Sequence, residues 1–386
     1  MDELPCSLPM NIRFTAVTSV LVVVLTGTFG WFTSRRIRAN LVGSALRTIS
    51  SGSEETVRSA DPTDAIIVSG PTMGSTWTVR VPRPQASLTA EMIRATTQET
   101  LGDIERQMST YQVDSELSQF NRLATSDWFA VSKDFAIVAS EARKVSELTG
   151  GAFDVTVGPL VNLWGFGPIH PAGPFGTVPS DAMIEEAMKH VNYRLLDVRL
   201  SPPAVRKSDV LAYVDFSAIA KGYAAELVGY RLEKLGIEDY LVLVGGEVHA
   251  KGISNEGRPW RVGIENPTPG VHRVLYTVEL RGGSLSTSGD YRNYFDVEGR
   301  RYCHEIDPAT GRPSTKNPAS VSVADTSGAY ADAMATALMV LGPDTGLALA
   351  KKLHLAAFFI LRGKDHFETR STPEFEKLLT VGPENR

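Results

Sequence analysis

Cysteine is almost missing from this chain: Cys6 and Cys303 are the only two among 386 residues, and neither belongs to a CxxC pair. That spacing argues against a disulfide framework or a cysteine-based zinc site, and it leaves the redox compartment open. Positive charge is also short. With 39 Lys and Arg against 44 Asp and Glu, the net charge is −5, whereas nucleic-acid binding needs a basic footprint. No nucleic acid is therefore expected as a partner, nor attraction to a membrane through a basic surface. The sequence also lacks a GxGxxG run, a Walker loop and a GxSxG elbow, so the common dinucleotide, P-loop and α/β-hydrolase sites have no support. No repeat of fixed period is present.

What is present begins at the N-terminus. Residues 14–34 contain no charged side chain and centre on Val20-Leu21-Val22-Val23-Val24-Leu25. About 20 apolar residues suffice to span a bilayer. Trp31 and Phe32 stand where interfacial aromatics belong, with Arg35, Arg36 and Arg38 directly after them. The expected organisation is a short tail (1–13), one membrane-spanning anchor or uncleaved signal (14–34), a polar linker (35–64) and a body (65–386). Arg13 precedes the span and three arginines follow it, so the positive-inside bias taken alone leaves the body in the cytoplasm. No small-x-small cleavage site is evident, and Cys6 precedes the apolar run, where a lipoprotein cysteine would not be.

With 42% hydrophobic and 22% charged residues the chain can bury a substantial core. Strands are expected at 66–68 and 77–81 around a Gly70–Gly74 loop. Helical spacing runs over 89–108 with Thr89 as cap, over 132–149 with Gly150 as stop, and over 180–191. A strand at 211–216 leads straight into a helix at 217–235. Strands follow at 240–244, 247–251 and 260–264, then a hairpin of 294–296 and 301–306 around Glu298-Gly299. The segment 321–324 leads to a helix at 329–341 stopped by Gly342, and a last helix and strand, reaching 354–361, close the body. Hairpin-paired strands with interspersed helices predict an α+β fold rather than a doubly wound sheet.

Three stretches carry chemistry. In Asp215-Phe216-Ser217-Ala218-Ile219-Ala220-Lys221-Gly222-Tyr223 an acid is followed by a helix start with a lysine in its first turn. Helix N-termini favour phosphate, and Lys221 adds a full charge; equally, Asp215 fits a helix cap and Lys221 a solvated side chain. Asp332 and Thr336 share one helical face in small apolar surroundings, and two such oxygen donors suit a hard cation such as magnesium. The plain alternative is an Asp answering the helix dipole and a Thr bonded to its own backbone. The Gly282–Tyr291 run is glycine- and hydroxyl-rich and reads as turns lining a polar pocket. His304, just before Glu305-Ile306-Asp307-Pro308, titrates near working pH and suits a general base, although a strand histidine also serves as a structural hydrogen-bonder.

Together these residues resemble the ApbE family of FAD:protein FMN transferases. The likeness rests on blocks in family order: Gly70-Pro71-Thr72-Met73-Gly74-Ser75, Met108-Ser109-Thr110-Tyr111, Gly151-Ala152-Phe153-Asp154, the Asp215–Tyr223 run, His304–Pro308, and Asp332-Ala333 with Thr336. It covers about residues 66–342. The resemblance implies antiparallel sheets with flanking helices around an FAD cleft. Met73, Tyr111, Ala152, Phe153, Asp154, Asp215, Lys221 and Ile306 would bind FAD, the substrate. The Ala218 carbonyl, Asp332 and Thr336 would hold Mg2+, with His304 and Lys221 catalytic. It implies transfer of FMN to a threonine or serine hydroxyl of an acceptor protein, within a motif like Asp-x-x-Ser-Gly-Ala-Thr of a membrane electron-transfer subunit, with release of AMP. FAD pyrophosphatase activity, a non-catalytic FAD-binding protein and a transporter's solute-binding subunit are the rival readings. The family is characteristically extracytoplasmic and often membrane-tethered, which points to the periplasmic side. Two positions depart from the pattern: Ser75 where threonine is usual and Glu226 where aspartate is frequent.

Overall fold

The computed structural model of the protein describes residues 65–271, 273–316, 318–364 and 366–381. The expected membrane segment (14–34) and linker (35–64) lie outside them. Among the described residues no helix is long and apolar enough to cross a membrane.

The chain opens with a hairpin of β1 (Ile66–Thr72) and β2 (Ser75–Val81), then α1 (Ala90–Met108), α2 (Glu116–Asn121), β3 (Phe129–Ala130), α3 (Lys133–Leu148), α4 (Gly158–Leu163) and α5 (Asp181–Met188). β4 (Leu196–Leu200) and β5 (Pro203–Lys207) follow, then α6 (Ala220–Lys234), β6 (Tyr240–Val244), β7 (Glu247–Lys251), β8 (Trp260–Glu265), β9 (Val274–Leu280) and β10 (Gly282–Gly289). Next come β11 (Tyr294–Val297), β12 (Arg300–Cys303), β13 (Ile306–Asp307), β14 (Arg312–Pro313) and β15 (Pro318–Asp325). The last elements are α7 (Gly328–Leu341), α8 (Pro343–Lys352), β16 (Ala356–Arg362), β17 (Phe367–Ser371), α9 (Pro373–Glu376) and β18 (Leu379–Val381).

Eight strands form one sheet in the order β1-β2-β6-β7-β10-β15-β16-β17, and every pairing in it is antiparallel. Alternation along each strand sends side chains to two cores. Val242, Val244, Val321, Val323, Ala357 and Phe359 join the helices in one cluster. Leu241, Val248, Ala250, Leu285, Phe358 and Ile360 pack with Trp260, Val262, Ile264, Val278 and Leu280 in the other, where the small sheet β18-β9-β8 supplies its strands. The α+β architecture with antiparallel sheets expected from the sequence is what the molecule has.

Helix starts follow local chemistry. The side chains of Thr89, Ser132, Ser180 and Ser327 accept backbone N–H bonds from Met92, Phe135, Met183 and Tyr330 and so cap α1, α3, α5 and α7.

Five expectations need correction. The Gly70–Gly74 loop is a tight turn of only Met73 and Gly74, both at positive φ (47° and 67°), with Thr72 facing Ser75 in the ladder. The 211–216 segment is no strand; it makes an isolated bridge, Val157 to Tyr213, and one bond from Asp215 N–H to the Val155 carbonyl. The following helix begins at Ala220, not 217, and its N-cap Ile219 provides no side-chain bond. The Gly282–Tyr291 run lines a polar cleft through Thr287, Ser288, Gly289 and Tyr291 as expected, but not as turns: it is mostly β10, an interior strand of the large sheet. Its Ser284, Ser286 and Ser288 are buried, and their small size lets α7 approach. The body also continues past the strand at 356–362 through β17, α9 and β18.

Candidate active site

Helices α6 and α7 cross where neither has a side chain. A Cβ on Gly222 would lie 2.1 Å from the Gly328 carbonyl oxygen, and one on Gly328 would lie 2.2 Å from that of Gly222. At this crossing each helix answers the other's unpaired N-terminal N–H groups. Asp332 Oδ2 on α7 accepts from Gly222 N–H at 2.9 Å, and Glu226 Oε2 on α6 accepts from Gly328 N–H at 2.7 Å. Glu226 thus fixes the start of the helix that carries Asp332 and Thr336.

A cleft of about 370 Å³ opens beside this crossing, within the usual range for small-molecule sites. Every site residue named from the sequence lines it: Met73, Tyr111, Ala152, Phe153, Asp154, Asp215, Ala218, Lys221, His304, Ile306, Asp332 and Thr336. They arrive from the β1–β2 turn, the segments after α1 and α3, the start of α6, the segment after β12, and α7.

Several are held by contacts that the sequence did not announce. Met73 sits in the left-handed region, costly for a side-chain-bearing residue. Its N–H and the Thr72 hydroxyl both donate to Glu105 Oε1 of α1, at 2.7 and 2.9 Å, and keep it there. Tyr111 is two-thirds exposed (66%), and its hydroxyl donates to the Phe166 carbonyl at 3.2 Å. Asp154 lines the cleft with both oxygens already engaged. Oδ1 accepts from the Thr156 N–H and hydroxyl and Oδ2 from Tyr193 N–H, each at 2.7 Å. Asp215 does not cap the helix; its Oδ1 accepts from the N–H and hydroxyl of Ser217. Burial pushes both carboxyls upward, with those hydrogen bonds opposing.

The charged centre is Lys221. Its Nζ donates to Glu247 Oε1 at 2.8 Å. Burial works against its charge, yet the carboxylates of Glu247 and Asp332 hold its pKa above the ordinary lysine value. Burial raises Asp332, against the pull of Lys221. Burial also pushes Glu305 up to about 8 despite Lys221, with Asp290, Asp332 and Glu247 adding to the rise. The His304 ring is open on one side, with 37% of its side chain exposed. Enclosure elsewhere and the Lys221 charge push it down to about 4, not near working pH as its residue type suggested, so it is neutral at physiological pH. Its Nδ1 lies 3.2 Å from the Asn293 carbonyl. A carbonyl only accepts, so Nδ1 carries the proton and Nε2 keeps its lone pair.

Sequence reasoning missed Glu247, read only as the first residue of a strand, and treated Glu305 only as part of a block. The available signal for Glu247 was Gly245-Gly246-Glu247: Gly245 has φ +62°, and a Cβ there would lie 2.8 Å from Lys221 Cδ. Among the described residues no group of three or more His, Cys, Asp or Glu is placed to hold a metal ion. The residues expected for magnesium make up a different donor set, of carbonyl, carboxylate and hydroxyl oxygens. Ala218, Asp332 and Thr336 share the cleft wall, and the Thr336 hydroxyl is 2.9 Å from that of Ser288. All-oxygen donors of this kind fit a hard cation.

The fold and cleft define a class: an α+β domain whose polar pocket joins a helix N-terminus, a paired lysine and oxygen donors. Residues 73–359 match the model of the ApbE family, and the chain belongs to that family. It is 39% identical over 319 residues to the FAD:protein FMN transferase of Vibrio cholerae serotype O1, covering 83% of this chain and 94% of that protein. To the FAD:protein FMN transferase of Escherichia coli K12 it is 35% identical over 344 residues, 89% of this chain and 97% of that one. Among solved structures, the flavin transferase ApbE from Vibrio cholerae superposes with a TM-score of 0.75 at 38% identity, over 82% of this chain and 99% of that one. The apo flavinyl transferase ApbE of Pseudomonas stutzeri gives 0.74 at 40% identity, over 83% and 98%.

Proposed function

We propose that this chain is an FAD:protein FMN transferase that moves FMN from FAD to a threonine or serine hydroxyl of an acceptor protein and releases AMP. The observation that carries the reading is the convergence of Lys221, His304, Ala218, Asp332 and Thr336 on one cleft, in a chain closely similar to proteins of that name. Bound Mg2+, held by the Ala218 carbonyl, Asp332 and Thr336, would withdraw charge from the pyrophosphate oxygens. Lys221 binds the same phosphates and answers charge developing on the AMP side. His304 Nε2 takes the proton of the acceptor hydroxyl. The hydroxyl oxygen bonds to the phosphorus of the FMN half as the bond to the AMP oxygen breaks, and AMP leaves with that electron pair. Phe153 and Ile306 wall the cleft with apolar surface, and Met73 is pinned at its hairpin tip.

The acceptor on this reading is a separate protein with an Asp-x-x-Ser-Gly-Ala-Thr-like motif, such as a membrane electron-transfer subunit. The body stands on the periplasmic or extracytoplasmic side, tethered through 14–34. A reporter active only outside the cytoplasm, fused after Arg386, tests that side: activity supports it, and a stable dark fusion reverses it. The activity itself is tested by incubating the protein with FAD, Mg2+ and candidate acceptors. An FMN adduct by mass spectrometry, with AMP released, supports transfer. AMP and free FMN without an adduct mean a pyrophosphatase, and FAD that stays intact for hours means a binding protein.

A further inference from the structure

Lys221 is held at both its stem and its head. Gly245, at φ +62°, leaves room for the stem. Glu247 Oε1 accepts from Nζ at 2.8 Å. Glu247 is held in turn, because its Oε2 accepts from the Thr287 N–H of the interior strand β10 at 3.2 Å. The two partners are unequally enclosed: the Lys221 side chain is 30% exposed and that of Glu247 3%. Both residues line the cleft, and the ammonium is the more open of the two. A lysine head held by one fixed acceptor keeps its other N–H donors for a ligand, and the rotamer entropy of its long stem is already lost before binding.

We propose that Glu247 is a positioning residue for the pyrophosphate of FAD, acting through Lys221. A bare carboxylate near phosphate would repel it; one neutralised by Lys221 and anchored to β10 instead presets where the positive charge stands. The proposal deepens the transferase reading and takes from it only that FAD is the ligand.

The test is a double-mutant cycle on FAD affinity, with full-length protein in detergent and EDTA, followed by quenching of flavin fluorescence, with riboflavin as a ligand lacking phosphate. Lys221→Met weakens FAD. Glu247→Gln, which keeps the shape and removes the charge, weakens FAD by about tenfold. The double variant is no weaker than Lys221→Met alone, and riboflavin affinity is the same in all. Gly245→Ala gives a second route: its Cβ displaces the lysine stem, and its loss of FAD affinity likewise vanishes in the Lys221→Met background. Glu247→Gln that binds FAD as well as or better than wild type, additive losses in the cycle, or a parallel loss of riboflavin would each overturn the proposal. A wild-type chain that binds FAD but releases no AMP ends the transferase reading and leaves the cycle readable; one that binds no FAD ends both.

Discussion

Gly222 and Gly328 touch backbone to backbone, so that a methyl group on either would overlap the other's carbonyl oxygen. In an ordinary helix, alanine in place of glycine stabilises by up to about 1 kcal/mol. Here the overlap wins. Gly222→Ala and Gly328→Ala are each expected to destabilise by about 1–3 kcal/mol and to cut turnover, because separating α6 from α7 moves Asp332 and Thr336 away from Ala218. Thermal melts alongside initial rates check this; a variant with raised stability and full activity would contradict it.

Asp332 has two jobs that substitution separates. Asp332→Ala removes both the expected metal oxygen and the acceptor of the buried Gly222 N–H, costing about 1–3 kcal/mol for the orphaned donor. Asp332→Asn keeps an acceptor for that N–H and loses the charge. We expect the Asn variant to melt near wild type while losing at least about 100-fold in rate and most of its magnesium response. Wild-type transfer by either variant means that the metal assignment is wrong.

His249 gives the protein a pH-dependent stability outside the cleft. It is buried, its Nδ1 is 2.8 Å from the Ser284 hydroxyl, and it stacks on Tyr240. Glu233, Lys251 and Tyr230 stand around it. Burial pushes its pKa down to about 4, with Glu233 opposing and Lys251 assisting. The unfolded chain, with an ordinary histidine near 6.5, binds the proton first as pH falls. Stability from this residue is therefore full above about pH 6.5 and is lost progressively toward pH 4, by at most about 3 kcal/mol. Urea unfolding at several pH values should show a shallower loss in His249→Gln than in wild type. Identical slopes would remove His249 as the cause.

The nearest match to the acceptor motif in this chain is Asp325-Thr326-Ser327-Gly328-Ala329-Tyr330, and it is bound up in the start of α7. Asp325 Oδ1 accepts from Ser327 N–H, Ser327 Oγ caps Tyr330 N–H, and Lys144 lies over the Tyr330 ring. Tyr330 is not among the residues lining the cleft. Protein exposed to FAD and Mg2+ without acceptor should keep its mass. A stoichiometric FMN adduct on this chain would refute modification in trans.

What the sequence made legible was local. Thr89 is a cap whose partner lies three residues on, the helices at 132 and 180 begin where their spacing starts, and the Asp332–Thr336 face follows from helical period. Long-range pairing was hidden. Gly282 to Gly289 has the composition of a turn, yet it is an interior strand because β7 and β15 flank it and α7 needs small residues beneath. The segment 211–216 reads as a strand, but only one bridge partner awaits it. The cleft residues were found through their family-like blocks. Glu247 was not, since an acid after two glycines looks like any turn, and the lysine that gives it meaning stands 26 residues earlier.

A carboxylate in a ligand cleft invites the thought of a polar handshake with whatever enters, but both oxygens of Asp154 already accept from its own chain, from Thr156 and from Tyr193 N–H. Between Ala152 and Val155 the wall therefore offers an aromatic ring and a fixed contour. Along that stretch the cleft's contour is set by the protein's own hydrogen bonds before anything enters.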